Sequence, residues 1–311
     1  MVRLLVTGVD GPVGLNVALR LADHCEVLGV YGLHTIESNA FRSAAWNGHD
    51  VEQLIPLADE WQPHWIIHCG PLVAAAWDSP PQSELADEQP RVAAELADLA
   101  VRCSARLTVL SSDTVFTGPR MFHDEASQAR ATCPQAVQAL AMEHALAERD
   151  ALVVRTHAYG WSPVEALAGF AERAFDAVSL CESADADGYR HATPILATDL
   201  ADRLLRAFEL RLAGLYHVAG AERTSPFRFV HQMASVFGLA VPRHWTSASV
   251  APSDRCHRET SLSSKRARRM FETQMPLLGD GLQRFAEQRH NGWRARARVV
   301  GPPRSALETA A

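Results

Sequence analysis

The chain has 311 residues, 47% hydrophobic and 21% charged, the mix of an ordinary globular protein, and is long enough to bury a core without disulfide or metal staples. A formal net charge of −6 argues against nucleic acid or an anionic membrane as the main partner, and no run reaches the roughly 18 apolar residues of a membrane span. Six scattered cysteines form no C-x-x-C pair and no H-x-x-x-H helix is present, so no metal site is expected; the N-terminus lacks a signal-peptide layout, and a cytoplasmic location is expected.

Residues 2–7 read as a strand, and 12–23 as a helix with Val13, Val17 and Leu21 on one face. Residues 26–31 form the next expected strand, 50–60 a helix, 65–67 a short buried strand and 91–102 a helix. A strand at 107–110, an alanine-rich helix at 135–149 and a strand at 151–155 follow. Strand–helix alternation over the first half predicts an α/β fold, a doubly wound parallel sheet with crossover helices. After residue 160 the rhythm loosens: helices are expected at 163–178, 197–213, 226–238, 261–273 and 278–288, with a strand at 215–219. This predicts a dinucleotide-binding domain over 1–160 and a smaller, mixed C-terminal substrate portion over 161–293, interleaved with the first. A tail over 294–311, rich in arginine, proline and small residues, is expected to fray.

Thr7-Gly8-Val9-Asp10-Gly11-Pro12-Val13-Gly14 follows the first strand directly and opens the first helix, with G-x-x-G-x-x-G spacing. Such glycines let the backbone turn tightly and approach a pyrophosphate, whose charge a helix N-terminus favours. Pro12 suits the first helical turn, where its missing N–H costs nothing. The alternative is a plain strand–turn–helix, but the flanking strand and helix supply the context a dinucleotide loop needs. Thr7, Gly8, Asp10, Gly11, Pro12, Val13 and Gly14 are therefore candidate cofactor contacts. The second strand runs into Tyr31-Gly32-Leu33-His34, without the acid that would hold the ribose hydroxyls of NAD. That favours NADP, with His34 or Arg42 near the 2′-phosphate; otherwise both are surface loop residues.

Several segments in consistent order resemble the extended short-chain dehydrogenases/reductases, and within them the dTDP-4-dehydrorhamnose reductase branch. Besides the glycine loop, residues 110–118 (LSSDTVFTG) are similar to its L-S-T-D-Y-V-F-x-G segment, with Glu125 at the position of a following acid. Residues 154–160 (VRTHAYG) resemble R-T-x-x-x-Y-G; Thr193-Pro194-Ile195, Asp199-Leu200-Ala201, residues 214–220 (GLYHVAG) and Arg258-Glu259-Thr260-Ser261-Leu262 match later segments. The resemblance implies a Rossmann-type domain with a smaller sugar-nucleotide domain, NADP or NAD as cofactor, and reduction of a 4-keto sugar nucleotide. Its chemistry uses a Ser/Thr hydroxyl, a Tyr acid and a Lys four residues after the Tyr; Ser112 stands at the hydroxyl position. Residues 66–71 (IIHCGP) stand where the family has I-I-N-A-A-A, which puts Cys69 and Gly70 among the implied cofactor contacts.

The sequence departs from this pattern where the proton is handled. Aligning the family's Y-G-x-S-K-x-x-G-E on Glu143 puts Gln135 at the Tyr and Ala139 at the Lys. Four residues after the only tyrosines, Tyr31, Tyr159, Tyr189 and Tyr216, stand Thr35, Pro163, Thr193 and Gly220, and the single lysine is Lys265. No realignment restores a Y-x-x-x-K pair. Loss of a general acid costs roughly 10²–10⁴-fold in rate. His68, His123 and Asp124 are conceivable substitute acids, or merely solvated loop residues. Two functions stay open: an NAD(P)-dependent reductase with an altered acid, or a non-catalytic nucleotide-binding regulatory or partner-binding subunit. A diverged epimerase or dehydratase would need the same missing pair. A sugar nucleotide is the expected small-molecule partner, and a homodimer or a partner protein is left open.

Overall fold

The computed structural model describes residues 1–78, 85–182, 186–241 and 258–303; Cys256 and the tail beyond residue 303 lie outside them. Strands β1 (Arg3–Thr7), β2 (Glu26–Tyr31), β3 (Ile36–Ser38), β4 (Arg42–Ala45), β5 (Trp65–His68), β6 (Arg106–Ser112), β7 (Ala151–Thr156), β8 (Ala158–Tyr159), β9 (Ile195–Leu196), β10 (Gly214–His217) and β11 (Ala297–Val299) alternate with helices. The helices are α1 (Pro12–Leu21), α2 (Leu54–Trp61), α3 (Leu85–Arg102), α4 (Pro134–Ala145), α5 (Phe170–Ser179), α6 (Ala197–Glu209), α7 (Pro226–Phe237), α8 (Lys265–Phe271) and α9 (Leu278–His290).

Seven strands form one parallel sheet in the order β10-β7-β6-β5-β1-β2-β4, a Rossmann-type α/β fold. Its central strands are buried on both faces, which is why they read as continuous apolar runs rather than alternating ones. The chain winds outward from β1 to β4, then crosses back to β5 and winds the other way. The switch between β1 and β5 opens a crevice at the carboxyl ends of the strands.

One apolar cluster lies between the sheet and α1, α6 and α8; a second lies under α2, α3 and α4. A third, around Trp77, Trp161, Phe229 and Phe285, joins α5, α7 and α9. The chain after residue 160 does not stay in that third cluster: α6 packs on α1, and β10 adds an edge to the sheet.

Local pattern misplaced some boundaries. The helix expected from residue 163 begins only at Phe170, and that expected from 261 begins at Lys265. In the second case His123 forms a bridge with Leu262, holding the preceding residues extended. The tail expected to fray from Arg294 is ordered as far as Val299, because β11 pairs antiparallel with β3 and Val300 N–H donates to the Thr35 carbonyl (3.0 Å). Among the described residues no helix is long and apolar enough to cross a membrane.

Candidate active site

Glycine at three loop positions has two different physical origins. Gly8 has φ +71°, and a Cβ there would lie 2.0 Å from the Cys69 carbonyl oxygen; a Cβ on Gly14 would lie 2.1 Å from that of Gly8. Packing therefore demands both. Gly11, the N-cap of α1, has φ −94° and ψ 160°, which any residue adopts, and its Cβ would meet nothing closer than 3.5 Å. Neither strain nor packing asks for glycine there. Its bare backbone lies against the first-turn N–H groups of Val13 and Gly14, which have no acceptor within the helix and can receive an anion. The start of this helix, with open space beside Gly11, fits a pyrophosphate.

Across the crevice, Thr7 Oγ1 donates to His68 Nδ1 (2.7 Å) and accepts from Cys69 N–H (3.2 Å). His68 Nε2 lies 2.8 Å from Gln89 Oε1, so the proton belongs on Nε2. Burial pushes the His68 pKa down to about 4. Both ring nitrogens are committed and the ring is neutral at neutral pH, so His68 is a structural link rather than an acid. Gly70 lacks a side chain because a Cβ would sit 2.4 Å from Gln89 Oε1.

Asp10 reaches from the glycine loop to the end of β2, where its Oδ2 accepts from Gly32 N–H (3.1 Å) and His34 N–H (3.4 Å). His34 thus lies beside the glycine loop. Arg42 does not. It pairs with Leu28 in register, three residues short of the β2 end, and its guanidinium lies over Trp61 and 3.4 Å from Glu60. That register sets Arg42 back from the strand ends where a 2′-phosphate would lie.

Ser112 ends β6, and Gln135 lies in the first turn of α4. Ser112 Oγ donates to the Ala74 carbonyl (2.6 Å), and Gln135 Nε2 donates to the same oxygen (3.0 Å). The two side chains meet at one backbone carbonyl, which takes a hydrogen bond from each. Ala139 is fully buried in the apolar cluster under α4.

Next to Ser112, a fully buried network is centred on Asp113. Its Oδ1 accepts from Ala76 N–H (3.0 Å), and its Oδ2 meets His157 Nδ1 at 2.7 Å and accepts from the Thr260 hydroxyl. Burial alone would raise the pKa of Asp113; the charge and hydrogen bond of His157, together with the hydrogen bonds from Thr260 and the Ala76 N–H, outweigh it and hold the carboxyl below its usual range. The His157 ring packs edge-on to Trp77 (4.6 Å between centroids), and its Nε2 carries no hydrogen bond among the described residues. Asp113, His157 and Thr260 were not singled out from the sequence as site residues. All three nevertheless lie in segments that carry the family resemblance, and that was the available signal.

The other expected acids are engaged elsewhere. His123 stacks on Phe116 (4.1 Å) with Nε2 3.2 Å from the Glu259 carbonyl, and Asp124 binds Ser127 and Arg120. Glu143, the anchor of the alignment, forms a buried ion pair with Arg155 (2.6 Å) and accepts from Ser111 (2.6 Å).

A family model described as the RmlD substrate binding domain matches residues 2–290. A search of curated proteins returns no sequence match. Among solved structures, a hypothetical dTDP-4-dehydrorhamnose reductase from Sulfolobus tokodaii is similar with a TM-score of 0.74 and 22% identity, covering 90% of this chain and 99% of that one. The dTDP-4-dehydrorhamnose reductase of Bacillus anthracis, in complex with NADP, gives 0.72 and 19%, covering 93% and 100%. The Bordetella bronchiseptica enzyme WbmH, in complex with NAD+, gives 0.75 and 16%, covering 94% and 100%. At these identities the likeness shows a shared fold.

Proposed function

Because the chain belongs to the RmlD substrate-binding-domain family, we propose that it binds NAD(P) and a sugar nucleotide but does not perform Tyr-dependent reduction of a 4-keto sugar. When bound, the dinucleotide would supply hydride chemistry; the residues that would hold it are the glycine loop from Thr7 to Gly14, with Cys69 and Gly70 across the crevice. The observation that carries the reading is the Ala74 carbonyl, which takes the hydrogen bonds of both Ser112 and Gln135. A ketone to be reduced needs the Ser112 hydroxyl for polarisation and a group of suitable pKa to protonate the alkoxide. Ser112 is spent on a backbone oxygen, and a Gln135 amide has no proton to give. A nucleotide-binding regulatory or partner-binding subunit fits these residues best.

One observation favours a second reading, an enzyme with a different acid. Asp113 fixes the His157 ring as a buried carboxylate fixes an imidazole in a catalytic dyad, and leaves Nε2 unengaged. On that reading His157, not His68 or His123, returns the proton.

Calorimetry with NAD(H) and NADP(H), together with NADPH oxidation by dTDP-4-keto-6-deoxy sugars followed by absorbance, decides between them. The first reading expects binding heat with turnover well below about 1 s⁻¹, the low end for enzymes. Turnover at or above that rate, lost roughly 10²–10⁴-fold in His157→Gln, would establish the second. No binding of any dinucleotide would remove both.

A further inference from the structure

We infer that Asp10 supplies, from the glycine loop, the carboxylate that grips the adenosine ribose, and that it makes the protein select NAD(H) over NADP(H). The inference rests on the dinucleotide-binding reading above and names the discriminating residue of that site.

In dinucleotide folds an acid after the second strand accepts hydrogen bonds from the ribose hydroxyls. Here β2 runs into Gly32-Leu33-His34 and has none. The carboxylate arrives from the other side instead. Asp10 stands 22 residues before Gly32 in sequence and is fixed to that loop by the Gly32 and His34 N–H groups. Both bonds fall on Oδ2. Oδ1 carries none among the described residues, and the residue is half-buried at the crevice. One oxygen is thus anchored and the other is available to accept from a hydroxyl.

The same charge opposes a 2′-phosphate, which brings about −2 of its own. Arg42 is turned to Glu60 and Trp61, and Arg298, at the neighbouring β11, pairs with Glu37 (2.8 Å). Of the two basic residues expected from sequence at a 2′-phosphate, only His34 stays on the loop.

The test is titration calorimetry of the full chain with NAD+, NADH, NADP+ and NADPH, for the natural protein and for Asp10→Asn. The amide keeps a carbonyl oxygen for the Gly32 N–H and removes the charge, and a thermal melt checks that the variant is folded. Expected is a Kd for NAD+ at least about tenfold below that for NADP+, and a ratio that narrows about tenfold or more in Asp10→Asn, mainly through tighter NADP+ binding. Preference for NADP+ in the natural protein, or an unchanged ratio in the variant, overturns the role of Asp10 while leaving dinucleotide binding intact. Absence of binding by all four nucleotides overturns dinucleotide binding and this inference together.

Discussion

Single atoms decide which glycine serves packing and which serves a ligand. Gly8 and Gly14 are held by contacts near 2 Å that no side chain could tolerate, whereas Gly11 meets only the Gly8 carbonyl at 3.5 Å. Gly11→Leu is therefore expected to abolish dinucleotide binding while lowering stability by only about 1 kcal/mol, the scale of exchanging a favoured for a poor N-cap residue. Gly8→Ala is expected to lose stability outright, since the clash with Cys69 oxygen adds to the strain of a positive φ. Calorimetry and thermal melts on the two variants separate binding from folding. A Gly11→Leu protein that melts like Gly8→Ala would show that packing, not a ligand, fixes all three.

At the scale of elements, the helix that carries the glycine loop is tied to the far end of the chain. Asn16, fully buried on α1, donates from Nδ2 to the Pro12 carbonyl (2.7 Å) and the Trp161 carbonyl (2.8 Å), and accepts from Trp293 Nε1 (2.9 Å). Gly160 makes room for it, since a Cβ there would approach Asn16 Nδ2 to 2.7 Å. From Trp293 the chain runs into β11 and its pairing with β3. Asn16→Ala leaves the Trp161 carbonyl and the Trp293 indole without this partner, at a cost of about 1–3 kcal/mol for a buried group left unsatisfied. The expected outcome is a lower melting temperature and faster amide hydrogen exchange at Arg298 to Val300, measured by exchange mass spectrometry. Unchanged exchange there would mean that β3 holds β11 without help from α1.

Across the whole molecule, two histidines buried neutral make stability depend on acid. Burial lowers His68 to about 4 and His217 to about 3, the latter helped by the nearby Arg155 charge. Below the ordinary value of 6.5 the unfolded chain binds more protons than the folded one. Stability is therefore fully present above that value and falls as pH drops towards 4. His68 alone accounts for about 3 kcal/mol, since each tenfold loss of proton affinity on folding is worth about 1.4 kcal/mol. Asp78, Glu172 and Asp199, raised chiefly by burial, take up protons in the folded state and act in the opposite sense. Comparison with His68→Gln isolates the histidine share: its melting temperature is expected to fall less between pH 6.5 and 4.5 than that of the natural protein. Parallel curves would show that His68 titrates normally in the folded state.

What the sequence determined by itself was whatever depends on neighbours along the chain or on counting. The strand–glycine–helix run from Arg3 to Leu21 is written in local residues, and so is the alternation that gave the parallel sheet. The want of any tyrosine with a lysine four residues on is a matter of composition alone. Strands such as β4 (RSAA) and β11 were not legible, because short, half-exposed segments of ordinary propensity become strands only when a partner edge lies beside them. Tertiary structure alone decided the chemistry of the crevice. Asp10 meets Gly32 because β1 and β2 are paired in register, and Arg42 misses the strand ends for the same reason. His157 reaches Asp113, 44 residues away in sequence, because β6 and β7 end side by side and Trp77 closes over them. Such contacts are set by strand register and crossover length, which no local pattern of residues encodes.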